Sequence, residues 1–529
     1  GDLCLLINGM PVIHIELKRS GVPVSQATGQ IEKYAHEGVF TGLFRLVQIF
    51  VGMTPDEARY FANPGAGAFN PNFYFHWEDF NNEPVCAGDK PGTGEWKRFT
   101  STLLSIPMAH QLIGFYTVAD SSDGCLKVMR SYQYYAAAAI SDKVRRCKWD
   151  EPRHSSTPGR PGGYIWHTTG SGKTMTSFKS AQLIADSHDA DKVVFLMDRI
   201  ELGTQSLSEY RAFADDVQGT ENTQVLKSKL ASDDPKNRLI VTSIQKMSNL
   251  KVGESRITQA ELDRLAGKRI VFIIDECHRS TFGDMLQDIR SAFPNALFFG
   301  FTGTPILDEN QKKGSTTAMV FGECLHRYSI ADGIRDGNVL GFDPYMVTTF
   351  DDHDVREAVA LEQAKAATVV EAITDDRKSK VFYYYMDSAK VPMGPMVDSA
   401  GNRIKGIEDF LTRAQYWPDT PHHGKVVEDI LRRFPVLSHG NKFHAILATS
   451  SIPEAIDYYR AFKERAPQMK VTALFDPSID NNAGSTVKED ALVELIEDYN
   501  KAYGQEFTIP TWPAMKKDIS ARLSHKKPY

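Results

Sequence analysis

The amino-acid sequence predicts an α/β protein built on parallel sheets, and two observations lead to this fold class. Between residues 164 and 335, short apolar runs alternate with segments of helix length. The apolar runs are residues 164–166, 193–197, 239–243, 270–274 and 296–301. This alternation is typical of parallel strands joined by covering helices. A second region of this kind begins near Val339, where His444–Ala448 is the clearest strand and 453–464 the clearest helix.

Length and composition are those of a multidomain globular protein. The 529 residues predict three to four domains at about 150 residues each. The 61 Lys and Arg against 67 Asp and Glu give a net charge of −6, so any nucleic-acid binding must be local. The six cysteines form no C-x-x-C pair, and no apolar run reaches about 18 residues. We therefore expect reduced thiols, a cytoplasmic location and no membrane span.

The N-terminal region predicts a hairpin followed by a helix. Leu3–Ile7 and Val12–Leu17 are apolar runs joined by Asn8-Gly9, a strong signal for a two-residue turn. A helical stretch begins at Gln26, residues 62–98 have a loop composition, and a helix is predicted over Thr100–Ile113. Because the chain opens on Gly1-Asp2 without Met, we expect it to start inside a domain. The expected domains are 1–120, 121–338 and 339–529.

A phosphate-binding loop is predicted at His167–Thr174, with the sequence H-T-T-G-S-G-K-T between a strand and a helix. Its glycines allow backbone N–H groups to surround phosphates at a helix N-terminus. Lys173 is expected to pair with the β- and γ-phosphates, and Thr174 to hold Mg²⁺. The nucleotide-contacting residues are Thr169, Gly170, Ser171, Gly172, Lys173 and Thr174. The strict pattern has Gly where His167 stands, and the alternative is a Gly-rich strand-to-helix turn without a ligand.

Acidic residues follow the apolar strand Ile270–Ile274. Asp275 at the strand end is expected to bind Mg²⁺ through water, and Glu276 to act as general base. The alternative is a buried strand followed by a capping acid. His278 is expected to couple the site to motion, or only to hydrogen-bond locally.

Further short motifs stand in a fixed order around this pair. They are Arg130-Ser131-Tyr132-Gln133, Asp198-Arg199-x-x-Leu202, Val241-Thr242-Ser243-Ile244-Gln245 and Thr302-Gly303-Thr304-Pro305. Each is weak alone, but with the phosphate loop and Asp275-Glu276 they resemble the ordered motifs of superfamily 2 helicase-like translocases. That resemblance assigns adenine reading to Arg130 and Gln133. It assigns DNA contact or coupling to Arg199, Thr242, Thr302 and Thr304.

A second site is predicted at the N-terminal hairpin. Asp2 and Glu16 supply carboxylates for Mg²⁺, and Lys18 can orient or activate a water for attack on phosphate. Gln30 and Tyr34 are four residues apart and share one helix face. These residues resemble the PD-(D/E)xK nuclease motif with the Q-x-x-x-Y addition of RecB-like nucleases. The alternative is a charged strand end beside an amphipathic helix.

The combined motifs resemble the restriction (motor) subunit of type I restriction–modification enzymes. The similarity extends to Ala331–Leu340, A-D-G-I-R-D-G-N-V-L. It implies a PD-(D/E)xK nuclease domain, without its N-terminal part, followed by two RecA-like parallel-sheet motor domains, the second truncated. The implied activity is ATP-dependent translocation of double-stranded DNA with Mg²⁺-dependent cleavage away from the recognition site. The implied partners are modification and specificity subunits.

Two departures from that family and two other readings remain. The family's nuclease fold has a helical segment before its Asp, whereas Asp2 is nearly the first residue here. No Q-x-x-x-R-x-x-R motif follows residue 440, so an arginine finger is expected to be missing. One other reading is a superfamily 2 helicase of the type III restriction or repair type. Enzymes of those types place a nuclease after the motor or have no nuclease. The order in this chain, with the nuclease motif before the phosphate loop, therefore disfavours them. The other reading is an ATP-gated DNA-binding subunit with a vestigial nuclease.

Overall fold

The computed structural model describes most of the chain in two compact units, residues 1–342 and 343–529. The described residues are 2–90, 92–121, 124–150, 160–197, 218–220, 222–250, 257–275, 277, 282–307, 316–345, 347, 349, 351–397, 403–411, 420–475, 485–524 and 527. None of the helices in these ranges has the length and apolar character needed to cross a membrane.

The first unit begins with a four-stranded sheet in the order β1-β2-β3-β4. Its strands are β1 (Leu3–Ile7), β2 (Met10–Leu17), β3 (Ile49–Met53) and β4 (Ala58–Ala62). The Asn8-Gly9 turn is confirmed, since both residues have positive φ, 49° and 80°. Strands β2 and β3 are parallel, and helix α1 (Val24–His36) makes the crossover between them.

A helical layer completes the core of this sheet. Helices α2 (Glu95–Thr102) and α3 (Ile106–Phe115) precede the antiparallel pair β5 (Thr117–Asp120) and β6 (Cys125–Val128). The prediction of one helix over Thr100–Ile113 is wrong, because the structure has two. Ser105 is the N-cap of α3 and a proline occupies its first turn. Proline fits that position but cannot continue a preceding helix.

A seven-stranded sheet in the order β13-β7-β12-β11-β8-β10-β9 forms the centre of the first unit, and all its pairings are parallel. Its strands are β7 (Arg160–His167), β8 (Lys192–Met197), β9 (Gln218–Gly219), β10 (Leu239–Ser243), β11 (Ile270–Ile274), β12 (Leu297–Thr302) and β13 (Cys324–Tyr328). The predicted α/β class and its five apolar strands are confirmed. Strands β9 and β13 were not predicted.

Helices cover both faces of this sheet. They are α4 (Ser131–Arg145), α5 (Lys173–Ser187), α6 (Thr223–Ala231), α7 (Ile244–Ser248), α8 (Gln259–Ala266), α9 (Phe282–Ala292), α10 (Thr317–Phe321) and α11 (Ile330–Arg335). Two apolar clusters result, one around Phe272 and Phe298 and the other around Phe178 and Phe195.

The Gly- and Pro-rich run 153–163 has the composition that predicts a flexible connector, but this prediction is wrong for 160–163, which belong to β7. A Cβ on Gly163 would lie 2.5 Å from Cγ of Leu325, and one on Gly162 would lie 2.6 Å from the carbonyl oxygen of Phe298. The glycines are therefore present because neighbouring strands approach closely, not because the chain is loose. Residues 153–159 lie outside the described residues.

The second unit is mainly helical in its described part. Its helices are α12 (Asp352–Gln363), α13 (Val369–Thr374), α14 (Asp376–Met386), α15 (Thr420–Leu437), α16 (Ile452–Arg465), α17 (Ser485–Tyr503) and α18 (Trp512–Leu523). The predicted helix over 453–464 is confirmed by α16. Among the described residues, the only strand pair here is β14 (Met396–Val397) with β15 (Arg403–Ile404).

The predicted strand His444–Ala448 is wrong, and with it the described part of this unit lacks the predicted parallel sheet. Ile446 is 78% exposed and Leu447 44% exposed. A strand needs a neighbouring strand to pair with and an apolar surface to pack on; within the described ranges no strand pairs with this run, and its apolar side chains are exposed. The RecA-like character of residues 339–529 remains a proposal.

Candidate functional sites

The two predicted carboxylates lie side by side at one end of the first hairpin. The register pairs Leu3 with Ile15, which places Asp2 opposite Glu16. Asp2 is exposed, and its Oδ2 accepts a hydrogen bond of 2.8 Å from the backbone N–H of Leu17. The side chain of Glu16 is only 1% exposed.

Lys18 joins this strand end to helix α1. Its ammonium donates to Oε1 of Glu16 at 2.8 Å and to Oε1 of Gln30 at 2.6 Å. The Gln30 amide in turn donates to the hydroxyl of Tyr34. The structure thus brings together five predicted residues, and Gln30 and Tyr34 lie on the helix face that their spacing predicted.

One carboxylate oxygen of this site is buried without a hydrogen-bond partner in the part of the chain that the structure describes. Oε2 of Glu16 makes no hydrogen bond among the described residues, and neither does Nε2 of His14, which lies 3.7 Å away. Burial lowers the pKa of His14. Sequence reasoning missed His14, although its position two residues before Glu16 on a strand places both on one face.

The donor set for a metal is small. Within the described ranges, no three His, Cys, Asp or Glu residues gather closely enough to hold an ion. Asp2 and Glu16 are the two carboxylates at this sheet end, and the Oε2 of Glu16, which makes no hydrogen bond among the described residues, could accept a cation that also keeps water ligands. Hard oxygen donors and retained water suit Mg²⁺ better than a softer metal.

The predicted phosphate loop lies between β7 and α5, as expected. Gly170 and Gly172 have φ values of 83° and 75°, which glycine adopts without strain. The hydroxyl of Ser171 donates to the carbonyl of Thr168 at 2.6 Å and closes the loop. Lys173 is 9% exposed at the first position of α5, and Thr174 follows it half-buried.

Residues of α4 hold this loop from behind. The Gln133 amide donates to the carbonyls of Ser171 at 3.1 Å and Gly172 at 3.3 Å. Its oxygen accepts from the backbone N–H of Arg130 at 3.0 Å. The hydroxyl of Tyr132, missed by the sequence analysis, also donates to the carbonyl of Ser171, at 2.8 Å. The predicted Q motif therefore contacts the phosphate loop directly.

The remaining predicted residues end the parallel strands at the same edge. Asp275 follows β11, and Thr302 ends β12. Thr304 donates its backbone N–H to the Thr302 hydroxyl at 3.1 Å. Thr242 is 2% exposed, and its hydroxyl accepts from Thr220 at 2.8 Å, so this geometry does not present it to DNA. The predicted residues Arg199, Glu276 and His278 lie outside the described residues.

Two buried histidines lie behind the phosphate loop. Nε2 of His167 is 3.0 Å from Nδ1 of His326, and Nε2 of His326 is 3.1 Å from the carbonyl oxygen of Phe80. Burial lowers the pKa of His326 to about 4 and holds that of His167 well below its usual range. Both imidazoles are therefore neutral near pH 7.

A cavity of about 600 Å³ opens beside the loop. Thr168, Thr169 and Gly170 form one wall, and Gly303 and Thr304 another. The guanidinium of Arg327 lies 4.5 Å from the ring centre of Trp166 on the cavity wall. Space for a ligand is thus present next to the predicted phosphate site.

Three family models match the chain. The N terminus of type I restriction enzyme R proteins matches residues 1–68, the SWI2/SNF2 ATPase matches 132–379, and domain 3 of type I restriction enzyme R subunits matches 441–528. These ranges contain the carboxylate site, the phosphate loop and the C-terminal part of the second unit, respectively.

Curated relatives carry the same description. A type I restriction enzyme endonuclease subunit of Staphylococcus saprophyticus is 33% identical over 514 residues, which is 95% of this chain and 47% of the relative. The C-terminal part of a putative type I restriction enzyme endonuclease subunit of Mycoplasma pneumoniae is 43% identical over 175 residues, 32% of this chain and 82% of the relative. The chain spans about half the length of the first of these relatives.

Among solved structures, a nuclease-deletion mutant of the Type ISP restriction-modification enzyme LlaGI in complex with a DNA substrate mimic is 14% identical. It matches with a TM-score of 0.29 over 71% of this chain and 32% of its own.

Proposed function

Because the chain belongs to the family of type I restriction enzyme endonuclease subunits, we propose that it contributes both the nuclease and the ATP-driven motor of such an enzyme. Residues 1–120 would form the endonuclease domain. Residues 121–338 would form the first motor domain, and 339–529 would form part of a second. Double-stranded DNA is the proposed substrate, and modification and specificity subunits are the proposed partners.

The observation that carries this proposal is that the predicted site residues lie in two separate clusters within one compact unit. Asp2, Glu16, Lys18, Gln30 and Tyr34 gather at one sheet end. The loop Thr169–Thr174 and its supports Tyr132 and Gln133 lie at the edge of the other sheet. A plain nucleotide-binding protein would need only the second of these sites.

In the proposed nuclease, each side chain has a distinct task. Asp2 and Glu16 would bind a divalent cation, which supplies charge neutralisation at the scissile phosphate and lowers the pKa of a bound water. Lys18 would present its remaining N–H to the attacking water or to a phosphate oxygen. Gln30 and Tyr34 would keep the lysine in place, since Gln30 is both its acceptor and the donor to Tyr34.

In the proposed motor, the phosphate loop would bind ATP with its backbone N–H groups and the ammonium of Lys173. Thr174 and Asp275 would hold Mg²⁺, and Glu276 would take the proton of the attacking water. Tyr132 and Gln133 would fix the loop carbonyls, so that the N–H groups on the opposite side of the same peptides face the phosphates.

The test is DNA cleavage by the full-length protein reconstituted with its modification and specificity subunits. Plasmid DNA with a recognition site should be cut only with ATP and Mg²⁺ present. Lys173→Ala should remove ATP hydrolysis and cutting, whereas Glu16→Gln should remove cutting alone. Robust DNA-stimulated ATP hydrolysis without any cutting would support the alternative of a motor subunit with a vestigial nuclease.

A further inference from the structure

Residues 78–83 follow the four-stranded sheet along the chain. They are hydrogen-bonded to helix α4 and to strand β13, which both contact the proposed phosphate loop. Ser131 of α4 donates its hydroxyl to Oε2 of Glu78 at 2.9 Å. His326 of β13 donates from Nε2 to the carbonyl of Phe80 at 3.1 Å. Ser131 lies two residues before Gln133, and His326 contacts His167 of the phosphate loop. This short segment therefore contacts both the helix that carries Gln133 and the histidine that lies against His167.

The hydrogen-bond directions in the two imidazoles are fixed by the carbonyl at one end. A carbonyl only accepts, so His326 must carry its proton on Nε2, which leaves Nδ1 as an acceptor in the neutral ring. His167 must then donate from its own Nε2, and its Nδ1 is left without a proton. That Nδ1 is buried and has no partner among the described residues. Two successive hydrogen bonds, from His167 to His326 and from His326 to the carbonyl of Phe80, therefore connect the phosphate loop to residue 80.

Further bonds hold the same segment to the motor. Nδ2 of Asn82 donates to the carbonyl of Arg327 at 2.8 Å, and the guanidinium of Arg335 donates to the carbonyl of Asn82 at 2.7 Å. Asp79 closes the segment into a tight turn, since its Oδ1 accepts from the backbone N–H of Asn81 at 2.9 Å and Glu83 at 3.1 Å. Because the turn is closed on itself, a shift at residue 80 displaces the whole segment.

On its other side, the segment is continuous with the sheet that carries Glu16. Trp77 is 1% exposed and packs edge-on against Tyr60 of β4, with ring centres 5.8 Å apart. Tyr60 also exchanges backbone hydrogen bonds of 2.9 Å with Phe75. Strand β4 is paired to β3 and β3 to β2, which ends at the proposed cleavage site.

We propose that residues 78–83 transmit nucleotide occupancy from the phosphate loop to the nuclease sheet, with His326 as the positioning residue that links His167 to Phe80. The inference rests on the proposed function, because it presumes ATP at Thr169–Thr174 and a nuclease at Glu16. When nucleotide binding orders the phosphate loop, His167 and His326 hold the carbonyl of Phe80 more firmly. The backbone hydrogen bonds of residues 78–83 then open less often, and their amide hydrogens exchange more slowly.

The experiment is hydrogen exchange of residues 78–83 in the full-length protein, with and without a non-hydrolysable ATP analogue and Mg²⁺. Nucleotide should slow exchange of this segment by ~5-fold or more in the wild-type protein. His326→Leu removes both hydrogen bonds and should reduce that protection to under ~2-fold, while a fluorescent ATP analogue still binds within ~3-fold of wild-type affinity. His326→Gln retains a donor and an acceptor and should restore the protection. His353→Leu, on the exposed surface of α12, is the matched control.

A cleavage assay of the reconstituted complex provides the second readout. His326→Leu should lower the number of DNA ends produced per ATP hydrolysed, and His326→Gln should not. Should His326→Leu fail to fold, Asn82→Gly is the second variant, because it removes the other hydrogen bond between this segment and β13, from Asn82 to the carbonyl of Arg327. Residue 82 has a φ of 61°, which glycine adopts without strain. Protection must fall in that variant as well.

The outcomes separate this inference from the proposed function. If the wild-type protein binds the ATP analogue but residues 78–83 exchange at an unchanged rate, the inference is wrong and the ATP site stands. Equal protection in wild type and in His326→Leu also overturns it. If no ATP analogue binds, the proposed function fails and the inference fails with it.

Discussion

The ammonium of Lys18 lies 2.6 Å from the side-chain oxygen of Gln30, and this hydrogen bond ties the end of β2 to the middle of α1. The same ammonium lies 2.8 Å from the buried carboxylate of Glu16. A lysine held by two acceptors at once loses rotamer freedom before any substrate arrives, so its third N–H points in a defined direction. We therefore regard Gln30 as the residue that orients Lys18 for the proposed cleavage.

The first prediction separates the two proposed activities. Glu16→Gln keeps the side-chain shape and an acceptor for Lys18 but removes the charge that a metal needs. DNA cleavage by the reconstituted complex should fall by ~100-fold or more, because metal-assisted catalysis depends on that ligand. DNA-stimulated ATP hydrolysis should remain within ~2-fold of wild type.

Glu37→Gln is the matched control for this variant, since Glu37 is an exposed helix-end carboxylate paired with Lys33. It should leave both activities unchanged. Loss of both activities in Glu16→Gln, in a protein that still melts cooperatively, would contradict the independence of the two sites.

The second prediction concerns the chemistry of the phosphate loop. Lys173→Ala removes the ammonium expected on the β- and γ-phosphates and should reduce ATP hydrolysis to under ~1% of wild type. Glu276→Gln removes only the proposed base, so it should bind ATP and fail to turn it over. Steady-state hydrolysis and binding of a fluorescent ATP analogue, measured in parallel, distinguish these two defects.

Lys236→Ala, on an exposed turn, is the control for removing a lysine. Wild-type turnover in Lys173→Ala would refute the assignment of the loop.

Sequence patterns that act over a few residues predicted much of the fold and the core of both sites. Asn8-Gly9 set its turn because both residues tolerate positive φ. Runs such as Ile270–Ile274 matched strands because a parallel strand covered on both faces is apolar throughout. Gln30 and Tyr34 reached Lys18 because helical spacing fixes which side chains share a face.

The features that sequence missed depend on contacts between distant parts of the chain. His167 and His326 are 159 positions apart and meet only because β13 pairs with β7. Gly162 and Gly163 have the composition of a loop, yet Phe298 and Leu325 require their lack of side chains within a strand. The apolar run at 444–448 has the local pattern of a strand, but no neighbouring strand pairs with it among the described residues.

The third prediction tests how α4 supports the phosphate loop. Tyr132→Phe deletes the hydroxyl that donates to the carbonyl of Ser171 at 2.8 Å, and leaves the ring stacked on Tyr328 at 3.7 Å. A buried hydrogen bond contributes about 1 kcal/mol, so KM for ATP should rise roughly 5-fold. The effect on kcat should be smaller, because no group that contacts the reacting atoms is changed.

Tyr134→Phe on the same helix is the control. Its hydroxyl donates to Gln111 at 3.3 Å on the surface, away from the loop. Equal KM values for ATP in wild type and Tyr132→Phe would mean that Gln133 alone positions the loop carbonyls.

The last prediction concerns the pH dependence of stability in the segment that links the two sites. Burial, and secondly the nearby carboxylate of Asp336, raise the pKa of Glu78 from 4.5 to about 8, while Ser131 and Arg335 act in the opposite direction. Since the folded state holds the proton more tightly than the unfolded state, Glu78 stabilises the fold fully below pH 4.5. That contribution is lost as the pH rises through about 8. The wild-type protein should therefore lose stability over this range relative to Glu78→Gln, which stays neutral and can donate to Asp336. Thermal melts of both proteins at pH 6 and pH 9 check this: the difference in Tm should move in favour of Glu78→Gln at the higher pH. Comparing the two proteins cancels the titration of Lys179 and Lys192, whose pKa values burial lowers to about 8. Parallel pH profiles would mean that Glu78 is already ionised near neutrality, held by Arg335.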